Sequence, residues 1–293
     1  MFAIIKLKHS IIVFFLTLIL IVVSTAAAVN VIPAVANFQP VQPLRLPIIM
    51  YHGLVSDVSY QNQYMIDPNL FEQDLIYLKD NGYHTIFISE LEDYVENRKP
   101  LPEKPIILTF DDGYYNNYVY AYPLLKKYQQ KAVISPIGIT ADRAEEEQRK
   151  NPLYSQCGWT ELKEMSCSGL VEIQNHTYNL HQNDTDRKGA AARPNESEAE
   201  YEEMLLNDLQ MFSDKMYQNL QQRPNAFVYP FGAKSKSTLS IVKKAGYRAV
   251  LDCEQKMNLI NDIEDLYTLH RFLRPGQVSS KVFFENTVKI GTA

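Results

Sequence analysis

The 293-residue chain is 46% hydrophobic and 22% charged, with a formal net charge of -5 and a pI near 5.7. This is a globular composition with apolar surface for one large or two small domains, and it lacks the basic footprint that nucleic acid or an anionic membrane surface requires. Neutral and cationic partners remain open.

At the N-terminus Lys6 and Lys8 precede an apolar run from Ile11 to Val23, and the small residues Ser24, Thr25, Ala26, Ala27 and Ala28 follow. Residues 1-28 therefore read as a secretory signal peptide cleaved near Ala28, or as an uncleaved N-terminal anchor, since the apolar stretch is long for the first and short for the second. Either way the body of the protein is expected to be secreted or extracellular, touching the membrane only through this segment. Residues 29-43, with Pro33, Pro40 and Pro43 and no helical period, read as a linker. Cys157, Cys167 and Cys253 show no metal-binding spacing and read as buried or free thiols, with a Cys157 to Cys167 disulfide left open.

Residues 44-293 alternate strand-like and helical patterns. Short apolar runs at 46-51, 84-88, 105-110, 132-137, 171-174, 226-229, 247-251 and 266-270 are rich in β-branched and aromatic residues. Between them, Asn69 to Asn81 places Phe71, Leu75 and Leu78 on one face, and Glu196 to Leu220 does the same with Tyr201, Leu205, Leu209 and Phe212. Gly82 and Gly246 each follow a helix, as C-terminal caps should. Strand then helix, repeated about seven times, predicts a single α/β domain with parallel strands, in a barrel or doubly wound sheet. The polar stretch 183-200 reads as a surface loop at the rim of a site, or a lid over it.

In a parallel barrel the reactive groups gather at the carboxyl ends of the strands. The run 107-113 ends there on adjacent carboxylates, Asp111 and Asp112, followed by Gly113. Asp-Asp-Gly is ordinary turn chemistry, but two neighbouring anions repel unless a cation neutralises one of them. Of the six histidines, His9 belongs to the leader and His84 starts a strand; His52, His176, His181 and His270 all follow strands on the face that carries the aspartates. His176 and His181 would point about 140° apart on a continuous helix, so they converge only if a turn intervenes. With one carboxylate they make a two-histidine, one-aspartate set suited to zinc or another divalent ion.

Thr109-Phe110-Asp111-Asp112-Gly113 together with His176-Thr177-Tyr178-Asn179-Leu180-His181 resembles the polysaccharide deacetylases of carbohydrate esterase family 4, the NodB homology domain. The five-residue histidine spacing is similar to the poly-N-acetylglucosamine deacetylase branch. The resemblance spans roughly residues 46-275 and implies a distorted (β/α)7-type barrel. It implies further that Asp112, His176 and His181 hold a divalent metal, most simply Zn2+ with Co2+ or Ni2+ as alternatives, and that Asp111 is the general base. Tyr229-Pro230-Phe231-Gly232 matches the third motif, so the Phe231 N-H would stabilise the oxyanion. There the chain departs from the pattern: the usual arginine two residues before the proline is Val228, and Arg271 is the candidate to replace it. His270 is the candidate general acid, with Arg271 its rival for the interior, because adjacent strand residues face opposite ways.

The substrate implied is an N-acetylated polysaccharide, poly-N-acetylglucosamine or peptidoglycan, and the chain is expected to be a monomer. An O-acetyl esterase acting on xylan-type glycans and a catalytically silent glycan-binding module are the competing readings. His52 and Asp252 are weaker site candidates. Trp159, Tyr114, Tyr115 and Tyr118 offer faces for sugar stacking, although helix packing suits the tyrosines better.

Overall fold

In this computed structural model residues 43-290 are described, apart from 149, so the expected leader and all but the last residue of the linker lie outside the described residues. The strands are β1 Leu44–Leu46, β2 Ile48–Tyr51, β3 Gly53–Leu54, β4 Met65–Ile66, β5 His84–Thr85 and β6 Pro105–Asp112, then β7 Ala132–Pro136, β8 Val171–Ile173, β9 Ala226–Val228, β10 Ala249–Leu251, β11 Asn258–Ile260 and β12 Phe272–Leu273. β6 is buried at every position, the signature of a strand that needs apolar cover on both faces and hence of a parallel sheet flanked by helices.

β2 and β7 pair in parallel with β6, β8 follows β7, and β12 pairs with β2. β9 and β10 form a second parallel pair. Isolated parallel bridges join Asn175 to Phe227 and Leu251 to Leu269, linking that pair to β8 on one side and to the chain entering β12 on the other. The pairing thus returns to its start, and β2, β6, β7, β8, β9, β10 and β12 enclose the distorted seven-strand barrel that the family resemblance implies, the closed one of the two arrangements left open by the strand and helix pattern, within one compact unit from Pro43 onward. β5 adds to the beginning of β6, while β1 and β11 make a short antiparallel pair outside the ring.

Period-two alternation sorts the core. Ile48, Ile107, Val133, Val228 and Leu251 pack together inside the ring. Ile49, Leu108, Phe110 and Ile134 belong to a separate cluster with the helix residues Phe71, Leu75, Leu78 and Phe212. The first helix spans Pro68–Asp80, with Asp67 as N-cap accepting from the Asn69 N-H at 2.7 Å. The long helix spans Glu198–Leu220, two residues later than the periodicity suggests, because Ser197 and Glu200 form a capping box there. Among the described residues no helix is long and apolar enough to cross a membrane.

One expected strand is displaced. Residues 263-268 form a 3-10 helix, capped at Asp262, whose Oδ1 accepts from the Glu264 N-H at 2.9 Å, with Asp265 completing the box. The three-residue step from Leu266 to Leu269 keeps both side chains in the barrel core, so the apolar pattern mimics a strand while the strand itself begins only at Phe272.

Beyond β12 lies a fully buried ion pair. Arg274 Nε and Nη2 donate to the two oxygens of Asp74 at 2.8 and 2.9 Å, and the Tyr51 hydroxyl donates to Asp74 at 3.0 Å. This ties the end of the ring to its first helix. Asp74→Ala leaves the guanidinium buried and uncompensated, so it is expected to cost about 3–5 kcal/mol in urea unfolding; a loss under about 1 kcal/mol would contradict that structural role.

Candidate active site

Ile107, Thr109 and Asp111 share the interior face of β6, so Asp111 ends the strand pointing into the barrel mouth. By alternation Asp112 would face away, yet its φ of 67° breaks the pleat and turns its carboxylate to the same mouth. Gly113 follows with φ 71°, and a Cβ there would lie 2.6 Å from Pro136 Cβ, so only glycine allows the turn.

Fully buried Arg271 grips Asp111 in a bidentate pair, Nη1 to Oδ1 at 2.7 Å and Nη2 to Oδ2 at 2.9 Å. Its Nε donates to the Asp252 carbonyl at 2.9 Å and Nη1 also reaches Thr109 Oγ1 at 3.2 Å. Burial pushes the Asp111 carboxyl up, but the guanidinium outweighs it and holds the group well below the usual carboxylate range. Asp111 is therefore ionised, and its two oxygens are fixed in direction.

Asp112 Oδ1 stands 3.5 Å from His176 Nε2 and 3.2 Å from His181 Nε2. The His176 Nδ1–H donates to the Val228 carbonyl at 2.9 Å, which leaves the Nε2 lone pair facing the carboxylate. Burial lowers the His176 pKa and keeps the ring neutral. The three ligand atoms lie within 4.8 Å of one another, and the buried Oδ1 has no hydrogen-bond partner. An unsatisfied buried acceptor costs about 1–3 kcal/mol, and a cation between two imidazole lone pairs and a carboxylate removes that cost. These residues fit a divalent metal.

Residues 175-181 show how a five-residue spacing converges. Asn175 Oδ1 accepts from the Thr177 N-H at 2.7 Å, Thr177 takes φ 71°, and Thr177 Oγ1 accepts from the Leu180 N-H at 3.2 Å. Asp208, from the long helix, accepts from the Tyr178 and Asn179 N-H groups at 2.8 and 2.7 Å. On the other side Gly138 and Ile139 donate to the Thr177 and Tyr178 carbonyls at 3.0 and 2.8 Å. A Cβ at Gly138 would sit 2.5 Å from Tyr178 Cδ2, so glycine permits this approach. The loop is clamped from both sides, and the imidazole centroids come to 5.0 Å.

A cavity of about 590 Å3 opens over these groups, walled also by His52, Tyr64, Tyr114, Lys188, Phe231 and Cys253. Phe231, at φ 57°, lays its ring 4.4 Å from His181. His52 packs on Tyr64 at 4.8 Å, and its buried Nδ1 has no partner. Of the expected loop 183-200, Asn183 and Lys188 reach the cavity rim. Residues 185, 186 and 193-196 wall a separate recess of about 630 Å3.

His270 is not among the described residues lining this cavity: Arg271 takes the inward position, so its neighbour faces out, with His270 Nδ1 3.0 Å from Asp252 Oδ1 and 3.6 Å from Glu254 Oε2. Trp159 is buried against Phe212 and donates to Asp142 at 2.7 Å, and Tyr115 and Tyr118 pack on the core. Of the aromatic candidates Tyr114 alone lines the cavity. The three cysteines are free thiols. Asp208 is the contributor that the sequence reading passed over, although an acid three residues after Leu205 on a buried helical stripe is a legible signal.

The sequence pattern of polysaccharide deacetylases matches residues 98-250. Protein YxkH of Bacillus subtilis (strain 168) is 30% identical over 240 residues, covering 82% of this chain and 75% of its own length. The poly-beta-1,6-N-acetyl-D-glucosamine N-deacetylase of Escherichia coli (strain K12) is 25% identical over 260 residues, covering 83% of this chain; the match spans 38% of that relative's length. Among solved structures, a de-N-acetylase from Aggregatibacter actinomycetemcomitans superposes with TM-score 0.70 at 29% identity, covering 80% of this chain and 97% of that one. IcaB from Ammonifex degensii gives 0.68 at 27%, covering 85% and 97%.

Asp208→Asn exchanges one of the two acceptors that hold the 178-179 backbone for a donor, so divalent-metal affinity measured by chelator competition is expected to fall about 10- to 100-fold with the fold intact. Burial pushes Asp208 up to about 6. A raised folded-state pKa contributes stability below the unfolded value of about 4 that is lost as pH rises through 6, so the metal-free wild type should lose stability relative to the Asn variant across that window. Parallel stability curves from pH 4 to 6 would exclude the shift.

Proposed function

Since the chain belongs to the polysaccharide deacetylase family, we propose that it is a metal-dependent hydrolase removing N-acetyl groups from an N-acetylglucosamine-containing surface polysaccharide and releasing acetate. The observation that carries this reading is the division between adjacent carboxylates: Asp111 is held by Arg271, and Asp112 faces two imidazoles. The leader-like N-terminus supports action outside the cytoplasmic membrane. The substrate named for the E. coli relative, and the five-residue histidine spacing, favour poly-N-acetylglucosamine.

Asp112, His176 and His181 would hold the divalent cation, Zn2+ being the simplest choice for this donor set. When bound, it supplies Lewis acidity, acidifying a water and polarising the acetamide carbonyl. Asp111, ionised and with its lone pairs aimed by the Arg271 fork, is the group that would take the proton of the attacking water. The Phe231 N-H donates to the developing oxyanion. The leaving amine receives its proton from His52, which lines the cavity and whose Nδ1 is unpartnered, in preference to His270, which is not among the described residues lining it.

Asp111→Asn is expected to keep the metal, by elemental analysis, and to lose about 10^2- to 10^4-fold in acetate release, whereas His176→Ala loses metal and turnover together. Full activity of the Asn variant would sink the mechanism. Comparing His52→Ala with His270→Ala separates the acids: the first should drop kcat at least tenfold, the second less than about threefold. Acetate released from O-acetylated xylan but not from N-acetylglucosamine oligomers would make the protein an esterase instead.

A further inference from the structure

A second cavity, of about 570 Å3, adjoins the candidate active site and shares the Tyr64 side chain with it. It lies between the excursion that links β3 to β4 and the turn after β12. Both walls are held. The Gly53 N-H donates to the Tyr64 carbonyl at 3.2 Å and the Val55 N-H to the Ile66 carbonyl at 2.9 Å. Asn62 Oδ1 accepts from the Tyr64 and Met65 N-H groups at 2.8 and 3.1 Å. Tyr64 is thereby fixed with 44% of its surface exposed, standing between the two cavities. On the opposite wall Arg274 Nη1 donates to the Pro275 and Val278 carbonyls at 2.6 and 2.8 Å, which shapes the turn that presents Gln277.

The lining selects a chemistry. Apart from the Tyr64 phenol it carries no ionisable side chain; it offers the amides of Gln61, Asn62, Gln63 and Gln277 and one aromatic ring. Gln61 is spent on the Val55 carbonyl at 3.2 Å and Asp67 at 3.1 Å. The Gln63 and Gln277 amides have no protein partner among the described residues. Free amides pair with hydroxyl and acetamide groups, and an aromatic face suits the apolar C-H surface of a pyranose. The recess has neither an anion for an ammonium nor a cation for a carboxylate or phosphate.

We propose that this recess is a subsite for a further, uncharged sugar ring of the glycan chain, neighbouring the ring whose acetamide is presented to Asp111. The assignment rests on the deacetylase reading and adds to it a preference for chain length: a substrate long enough to cross Tyr64 gains contacts that a shorter one lacks. Because these contacts lie away from the reacting carbonyl, they lower KM and leave kcat alone.

The test is steady-state kinetics on N-acetylglucosamine oligomers of increasing length, with Gln277→Trp to fill the recess and the Gln63→Ala, Gln277→Ala pair to strip its amides. Wild-type KM should fall about five- to thirty-fold at the length that first reaches the recess. Both variants should lose that fall at unchanged kcat, and should process the shortest substrate as wild type does. Variants that keep the wild-type length dependence, or a wild type with turnover but no such dependence, overturn the subsite. Absence of acetate release by wild type from every oligomer overturns the deacetylase reading instead. Calorimetric binding of long and short oligomers to the same variants then decides the subsite, a length preference insensitive to Gln277→Trp counting against it.

Discussion

Two carboxylates in adjacent positions at the end of a buried strand are an electrostatic problem, and the Asp111–Arg271 pair is its solution. Both side chains are out of water, where an unpaired anion would pick up a proton and where breaking a pair costs several kcal/mol. The guanidinium satisfies both oxygens of Asp111 in a fork of fixed direction, and it is itself fixed by the Asp252 carbonyl and by Thr109. That leaves Asp112 as the anion without a side-chain cation, free to face His176 and His181. Chemically identical neighbours thus acquire separate tasks, because one has a permanent counter-ion and the other faces two imidazoles with which it would hold an exchangeable one.

The rest of the mouth is arranged against local backbone preference. Asp112, Thr177 and Phe231 all adopt left-handed φ, uncommon outside glycine and costing of order 1–3 kcal/mol each. Each lies at or beside a residue of the site. Ordinary strand geometry would send alternate side chains to opposite faces, so gathering neighbours on one side requires breaking the pleat. Surrounding hydrogen bonds hold these conformations in place, most completely around 175-181, where Asp208 and the start of the helix at Gly138 grip opposite edges of one short loop.

Much of this was legible in the sequence. The apolar runs marked the ring, because a strand buried on both faces reads as a continuous hydrophobic stretch, and Asp-Asp-Gly stood at the end of the plainest one. The substitution of Arg271 for the arginine missing at Val228 was visible as a question: an acid that must be oriented, and a cation near the last strand. Its answer depended on a single step of register. Placing a strand over 266-270 favours His270, whereas the cap at Asp262 and the 3-10 turn after it move the strand forward and bring Arg271 inward. His52 was visible as a residue at a strand end, but the partner missing from its Nδ1 depends on what packs beside it. Tyr64 lies in a polar excursion without periodicity, where sequence pattern carries no information about which walls meet.

The partners of the central pair are separated by 160 positions. At synthesis rates of about 5–20 residues per second, roughly 8 to 32 s separate their emergence. Until the last strand arrives neither Asp111 nor Asp74 has its guanidinium partner, Arg274 lying 200 positions after Asp74. Both buried charges are therefore neutralised by one late segment, which makes closure of the ring and orientation of the base a single event. A chain truncated before that segment would lack more than a strand: it would also lack both guanidinium partners of the buried acids.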